Sequence, residues 1–127
     1  MKRFLILAIA LMLAVCVVAG CAREAKIYYD PEEMISVRIN RDFIIATSSS
    51  PSTGYIWREK YDENMLELLK STFEVSEAVK RGEAEIGLEQ HFRFKALKKG
   101  NTEIGIELVG PDLKWVIERK VFNVKID

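Results

Sequence analysis

The sequence predicts an all-β domain, an immunoglobulin-like antiparallel β-sandwich of about seven strands. Polar and apolar residues alternate with period 2 over most of the chain after residue 25, which is the pattern of half-buried strands and not of helices. Turn residues such as Gly, Pro, Asn and Asp interrupt these segments every ~8–12 residues, as is typical of sandwiches. At 127 residues the chain has room for one core and one domain.

The start of the chain has the pattern of a secretory signal peptide. Lys2 and Arg3 make a basic beginning, and an apolar run follows from Phe4 to Val18. A helix that spans a membrane needs about 20 apolar residues, so this run is too short to be a retained membrane span.

The apolar run ends in Val18-Ala19-Gly20-Cys21, which resembles the lipobox of bacterial-type lipoproteins. In such proteins the cysteine becomes the lipidated first residue, and two or more acyl chains hold the protein stably on a membrane. We therefore expect Cys21 to carry a lipid anchor that keeps the domain outside the cytoplasm, on the cell membrane. An ordinary signal peptide with cleavage nearby is the alternative. The predicted parts are a signal peptide (1–20), a lipidated cysteine with its tether (21–25) and the domain (26–127).

The charge balance limits the classes of partner that the chain can bind, and the cysteine content limits the disulfides that it can form. The chain has 19 basic and 19 acidic residues, and loss of Lys2 and Arg3 with the signal leaves 17 basic residues and a net charge of −2. Such a balance argues against nucleic acid or an anionic membrane surface as the main partner. Cys16 lies within the signal, so Cys21 is the only cysteine of the mature chain and no disulfide can form within it. We expect a monomer without cofactor or metal.

The strands can be assigned in order from their alternating apolar residues. The first pair is predicted to form a hairpin, Met65–Leu69 is either a helical turn or a strand start, and residues 76–88 form a long loop. The last strand changes its inward face near Arg119 and Lys120, which predicts a bulge or bend there. The predicted strands contain Ile35, Val37 and Ile39; Phe43–Thr47; Gly54–Tyr61; Ser71–Val75; Phe92, Phe94 and Ala96; Ile104, Ile106 and Leu108; and Trp115–Ile126.

No set of residues suggests an enzyme. The mature domain has no thiol, and His91 is its only histidine, which alternation places on the outward side of a strand at the surface or at an edge. The hydroxyl groups between Ser48 and Thr53 have no evident base to activate them. A zinc site needs three or four suitable ligands, and one His with scattered Glu residues does not supply them.

The most distinctive stretch runs from Ser50 to Trp57. Pro51 fixes its own φ and Gly54 can adopt a positive φ, so a short stiff turn that carries hydroxyl groups is expected. Tyr55 and Trp57 then share one face of the following strand, and we expect them to form the floor of the turn. Taken alone, Pro51-Ser52-Thr53-Gly54 is also compatible with an ordinary polar β-turn.

This stretch, Ser50-Pro51-Ser52-Thr53-Gly54-Tyr55-Ile56-Trp57, resembles the Asn-Pro-Thr-Thr-Gly-Tyr/Phe-x-Trp signature of the chagasin-like inhibitors of cysteine peptidases. Ser50 and Ser52 stand where that signature has Asn and Thr. The segment from Phe94 to Gly100 is also similar to the Phe-Lys-Ala-x-x-x-Gly turn of the family. The resemblance covers residues 26–127.

Two further loops take part in the resemblance. The second loop of the family carries Gly-x-Gly-Gly, and here the corresponding segment contains Gly82, Ile86, Gly87 and Leu88. The third loop carries Arg-Pro-Trp, and here it contains Gly110, Pro111, Asp112 and Trp115, without the arginine. Because Trp115 comes three residues later than the family pattern has it, it is either a displaced contact or part of the core.

The resemblance implies an inhibitor of papain-family cysteine peptidases. In that family the first loop enters the active-site cleft, and the other two loops grip either side of it from one end of a sandwich. A papain-family peptidase is then the expected protein partner. The alternatives are a non-inhibitory surface module that binds a peptide, glycan or envelope protein, and an enzyme, which would need a metal or a base that the sequence lacks.

Overall fold

The computed structural model describes residues 24–127, which form two four-stranded β-sheets. One sheet has the strand order β1-β3-β6-β5 and the other has the order β2-β8-β7-β4. The all-β prediction is confirmed, with eight strands instead of about seven. The strands are β1 Lys26–Tyr28, β2 Ile35–Val37, β3 Asp42–Ser49, β4 Ile56–Tyr61, β5 Leu66–Val75, β6 Leu88–Ala96, β7 Gly100–Val109 and β8 Val116–Ile126; a 3-10 turn covers Pro51–Thr53, and the helix α1 covers Glu77–Lys80.

The core lies between the two sheets, where the inward residues of both alternate as the sequence predicts. Phe94 stacks on Phe43 with ring centroids 5.7 Å apart, and Tyr61 meets Phe94 edge-on at 5.1 Å. From the facing sheet, Ile104 and Phe122 are fully buried against them. Burial of such side chains is the main source of stability in a domain that has no disulfide.

The predicted hairpin of β2 and β3 is wrong, because the two strands belong to different sheets. β2 pairs in parallel with β8, and β1, a strand that we did not predict, pairs in parallel with β3. The turn after β2 crosses between the sheets: the Ile39 amide donates to the carbonyl of Asp127 at the end of β8, and the Asn40 amide donates to that of Ala96 at the end of β6. The sandwich is therefore not purely antiparallel.

Two irregularities shape the longer strands. Met65–Leu69 mostly belongs to β5, whose register against β6 shifts between Leu68 and Lys70. In β8 the register against β7 shifts between Glu118 and Val116, so the bulge predicted near Arg119 and Lys120 lies closer to the start of the strand. Lys120 faces inward in regular alternation with Phe122.

Three connections lie at one end of the molecule: loop 1 (50–55), loop 2 (76–87) and loop 3 (110–115). Strand register places them together. Ser49 at the end of β3 pairs with Leu88 at the start of β6, and Leu88 also pairs with Val75 at the end of β5. In the other sheet Val109 at the end of β7 pairs with both Ile56 and Val116. Loop 1 therefore passes from one sheet to the other. Loop 2 lies beside its start, at the end of β3, and loop 3 lies beside its end, at the start of β4.

The expected signal peptide, Cys21 and most of the tether lie outside the described residues. Within residues 24–127 no helix is long and apolar enough to cross a membrane. The first described residues lie just before β1. β1 begins beside the start of β3, where Lys26 pairs with Phe43. This is the opposite end of the sandwich from loops 1, 2 and 3.

Candidate functional site

Loop 1 is a compact turn fixed by its own hydrogen bonds. The Thr53 hydroxyl and the Thr53 amide both donate to the Ser50 carbonyl, at 2.6 and 3.1 Å, and the Gly54 amide donates to the Pro51 carbonyl at 3.1 Å. Pro51 occupies the first position of the 3-10 turn, where its missing N–H is no loss. Ser52 lies at the exposed tip between them. The turn is thus closed by backbone and hydroxyl groups, with its tip in solvent.

Trp57 supports loop 1 from below. Its side chain is buried, and its indole Nε1 donates to the Ser48 carbonyl at 2.7 Å, so it ties β4 to the end of β3. The Gln90 amide nitrogen donates to the Trp57 carbonyl at 3.3 Å. The Lys120 ammonium lies 5.0 Å from the centre of the indole ring and donates to the Thr47 hydroxyl at 3.0 Å. The predicted floor of the turn is therefore present in Trp57 and is braced from both sheets.

Loops 1 and 3 are in direct contact. Gly54 adopts φ 82°, and a Cβ built on it would lie 3.0 Å from Cγ of Pro111. A Cβ on Gly110 would lie 3.5 Å from the ring of Tyr55, which is half-exposed above the start of β4. A glycine suits position 54 for two reasons: the backbone there is left-handed, and Pro111 approaches it closely.

Loop 2 is folded around α1. The Ser76 hydroxyl accepts from the Val79 amide at 3.3 Å as the N-cap, and the Ser76 amide donates to the Gly87 carbonyl at 3.0 Å, which closes the base of the loop. A Cβ on Gly87 would lie only 2.6 Å from the Ser76 hydroxyl oxygen, so a side chain there would displace the N-cap hydroxyl. Gly82 ends α1 with φ 73° and has no atom near its Cβ position.

Loop 3 is a turn that presents apolar side chains to solvent. The Leu113 amide donates to the Gly110 carbonyl at 2.9 Å, and the Lys114 amide donates to the Asp112 carboxylate at 3.2 Å. Trp115 follows with 74% of its surface exposed. Of the two possibilities left open by the sequence, a core position for Trp115 is wrong, because its indole points into solvent.

Large apolar side chains are exposed on all three loops and on the strand ends beside them. Ile86 of loop 2 is 90% exposed, and Leu88 and Val75 lie next to it across the β5–β6 pair. Exposed apolar groups gathered at one place usually mark an interaction surface. The members of this set are Tyr55, Ile56, Phe73, Val75, Ile86, Leu88, Leu113, Trp115, Val116 and Ile117.

Residues 24–127 contain no group of three or more His, Cys, Asp or Glu side chains that could hold a metal ion. His91 lies on β6, a central strand, and its side chain is only 14% exposed beside Glu89, so the expected surface or edge position is wrong. The arrangement is suited to binding a protein surface, through a rigid polar turn flanked by apolar loops.

The structure also identifies residues that the sequence pattern did not. Lys120 and Gln90 reach the support of loop 1 from inward positions, although charged and amide side chains are expected to face outward. Glu89 is buried beside loop 2 on the outward face of its strand. A charged residue in the inward register of a strand, as at Lys120 two positions before Phe122, was the one signal that could have indicated such a role.

Comparison with known proteins identifies one family, and similar folds occur among solved structures. Residues 36–126 match the model of the chagasin family of peptidase inhibitors. The crystal structure of the cysteine protease inhibitor EhICP2 from Entamoeba histolytica superposes with a TM-score of 0.63 at 22% identity, over 84% of this chain and 100% of that one. The solution structure of amebosin gives 0.51 at 18% identity, over 83% and 98%. At such identities these two likenesses show a shared fold. No curated protein matches significantly.

Proposed function

The chain belongs to the chagasin family of peptidase inhibitors, and from this premise we propose that it inhibits papain-family cysteine peptidases by occluding the active-site cleft. Loop 1 enters the cleft, and loops 2 and 3 contact the surfaces on either side of it. The observation that carries the proposal is the convergence of the three loops at one end of the sandwich, with a stiff polar turn between two apolar flanks.

The construction of loop 1 explains how it can occupy a cleft without being cut. Its backbone is held in a 3-10 turn by the hydrogen bonds to Ser50 and Pro51, so it does not present the extended segment that an attacking thiolate needs. The tip residues Ser52 and Thr53 are uncharged and small, which fits a narrow polar site. Because the turn is already ordered, little conformational entropy is lost when it binds.

The flanking loops supply the apolar contact area. Trp115 on one side and Ile86 on the other are the most exposed large apolar residues of their loops. Large aromatic side chains dominate the binding energy of many interfaces once they are desolvated. The absent arginine of loop 3 is compensated in this proposal by Trp115 and its apolar neighbours.

We also propose that Cys21 carries a lipid anchor and that the inhibitor faces outward from the cell membrane. The position of the first described residues supports this arrangement, because they lie at the end of the sandwich opposite loop 1. A tether that enters at that end leaves the inhibitory loops directed away from the membrane surface. Metabolic labelling with a radioactive fatty acid, compared between the wild type and Cys21→Ser, tests the anchor separately from inhibition.

The test of inhibition is a titration of papain with residues 22–127, produced without the lipid, in the presence of a fluorogenic substrate. We expect stoichiometric loss of activity, with the inhibitor intact afterwards by mass spectrometry. Absence of inhibition at micromolar concentration would contradict the proposal and favour a non-inhibitory binding module. Cleavage of loop 1 during the assay would contradict the occluding mechanism.

A further inference from the structure

Glu89 is a buried carboxylate that the inhibitory loops do not themselves include. It is 6% exposed and lies on the outer face of the sheet β1-β3-β6-β5, beside the start of loop 2. A buried charge is unfavourable unless hydrogen-bond donors surround it. The groups that meet Glu89 therefore indicate why it is there.

Groups from three parts of the chain converge on this carboxylate. The backbone amide of Glu77, the first residue of α1, donates to Oε1 at 3.0 Å. The ring nitrogen Nε2 of His91 lies 3.4 Å from Oε2. Tyr29, from the connection between β1 and β2, is also near: burial, and next the charge of Glu89, raise the pKa of its hydroxyl above the ordinary value. Glu77 raises the pKa of Tyr29 further and Arg81 lowers it.

The hydrogen bond from the Glu77 amide to Glu89 differs from the other hydrogen bonds of α1 in where its acceptor lies. The other hydrogen bonds of α1 within the described residues, including its cap at Ser76, stay inside the loop, and the bond between Ser76 and Gly87 only joins the two ends of the loop. The Glu77–Glu89 bond is thus the one that fixes α1 to a strand. A helix of four residues is far too short to be stable by itself. The carboxylate is therefore the hydrogen-bond acceptor that links α1 to the sheet.

We propose that Glu89 is a positioning residue of loop 2, whose carboxylate fixes α1 against the sheet and thereby holds Ile86 where loop 2 meets the peptidase. This inference rests on the proposed inhibitory function for the role of Ile86, but not for the attachment of α1. Glu89 touches no peptidase atom itself. It acts through the backbone amide of Glu77.

The experiment compares Glu89→Leu and Glu89→Gln with the wild-type protein. Glu107→Leu is the matched control, because Glu107 is also a buried carboxylate, near the end of β7 on the other sheet. Hydrogen exchange of the amides in residues 77–87 is measured without peptidase, and the dissociation rate is then measured with papain. For Glu89→Leu we expect faster exchange in loop 2 and dissociation faster by about tenfold, as for loss of one charge-assisted hydrogen bond. Glu89→Gln keeps an acceptor oxygen, so its amide exchange in loop 2 and its dissociation rate should both be close to those of the wild type.

A spectroscopic signature separates this role from general destabilisation. Because the negative charge of Glu89 disfavours the tyrosinate of Tyr29, Glu89→Gln should move the pKa of Tyr29 down towards its ordinary value of 10.0. Ultraviolet absorbance of tyrosinate, with Tyr29→Phe to assign the signal, follows this titration. Glu107→Leu should leave it unchanged, and the Gln variant retains a fold in which the test can be read even if the Leu variant does not fold.

The possible results test two claims separately: that Glu89 fixes α1, and that the position of α1 matters for peptidase binding. Unchanged exchange of residues 77–87 in both Glu89 variants would overturn the positioning role. Faster exchange with unchanged dissociation would overturn the link between this position and peptidase binding. If the wild type does not inhibit papain at all, the proposed function fails, whereas the exchange and titration measurements still decide whether Glu89 fixes loop 2.

Discussion

At the scale of single residues, Gly54 is the position on which the shape of the inhibitory end depends most. Its φ of 82° is unfavourable for any residue with a Cβ, and a Cβ there would press on the Pro111 ring at 3.0 Å. Loops 1 and 3 approach each other at this point. A change at Gly54 therefore alters the spacing of two loops and not only the turn that contains it.

We predict that Gly54→Ala weakens inhibition by tenfold or more, as estimated from ~1–2 kcal/mol of backbone strain plus displacement of Pro111. Gly100→Ala is the matched control, since Gly100 also has a positive φ, of 138°, but lies at the far end of the sandwich, where its Cβ position meets only the flexible end of Met65. Inhibition constants against papain and urea unfolding measure the two effects. Equal losses of inhibition in both variants would show that backbone strain alone matters and that the contact with Pro111 does not.

Trp57 is the second residue whose role can be isolated. Trp57→Phe keeps an aromatic ring in the core but removes the 2.7 Å bond from Nε1 to the Ser48 carbonyl, which joins the two sheets beneath loop 1. We expect the free energy of unfolding to fall by about 1–3 kcal/mol and inhibition to weaken with it. Trp115→Phe, at an exposed indole, should leave the free energy of unfolding unchanged. No difference in unfolding between the two variants would contradict the bracing role.

At the scale of elements, loop 3 and loop 2 act as separable apolar flanks of loop 1. Trp115→Ala should change the stability of the fold by less than ~0.5 kcal/mol, because the side chain is exposed. It should weaken papain binding by about 2 kcal/mol, the loss typical of a large aromatic side chain that becomes desolvated in an interface. Leu97→Ala, at an exposed position at the far end of the sandwich, is the control for nonspecific effects. Calorimetric titration that finds equal affinities for both variants would remove Trp115 from the interface.

The elements also show which parts of the structure a sequence can predict. The strands of the second half follow clear alternation, and β5 with β6 and β7 with β8 pair as neighbours in the chain. The turn at Lys98-Lys99-Gly100 instead takes the chain from β6 in one sheet to β7 in the other. The β2–β3 turn has the same sequence signals as a hairpin, yet it crosses between sheets. Its partners, Asp127 and Ala96, lie far along the chain. Turn residues mark where a chain changes direction, but long-range hydrogen bonds decide which sheet it joins.

The same reasoning applies to the candidate site. The backbone conformation of loop 1 was predictable because Pro51 and Gly54 constrain the backbone locally. Burial of Glu89 and the contacts of Lys120 were not, because both depend on groups elsewhere in the chain: the amide of Glu77 in α1 and the hydroxyl of Thr47 in β3. Alternation assigns a face to each residue but does not indicate what covers that face.

At the scale of the whole molecule, Tyr29 links stability to alkaline pH. Its pKa is raised above 10.0 in the folded chain, chiefly by partial burial and then by Glu89, so the unfolded chain loses this proton first as the pH rises. Stability therefore falls as the pH rises from the unfolded value through the folded one. We expect the free energy of urea unfolding to decline more steeply above pH ~10 in the wild type than in Tyr29→Phe. Parallel slopes in the two proteins would contradict this linkage.

The register shift in β5 has a consequence for how copies of the molecule behave together. β5 is a ten-residue strand at the edge of its sheet, and a long regular edge is a template on which a second chain can add and aggregate. The shift between Leu68 and Lys70 interrupts the ladder near its middle, and Lys70 places a charge there. An approaching strand finds no continuous row of backbone partners. Crowded copies can thus remain apart while their loop ends stay free.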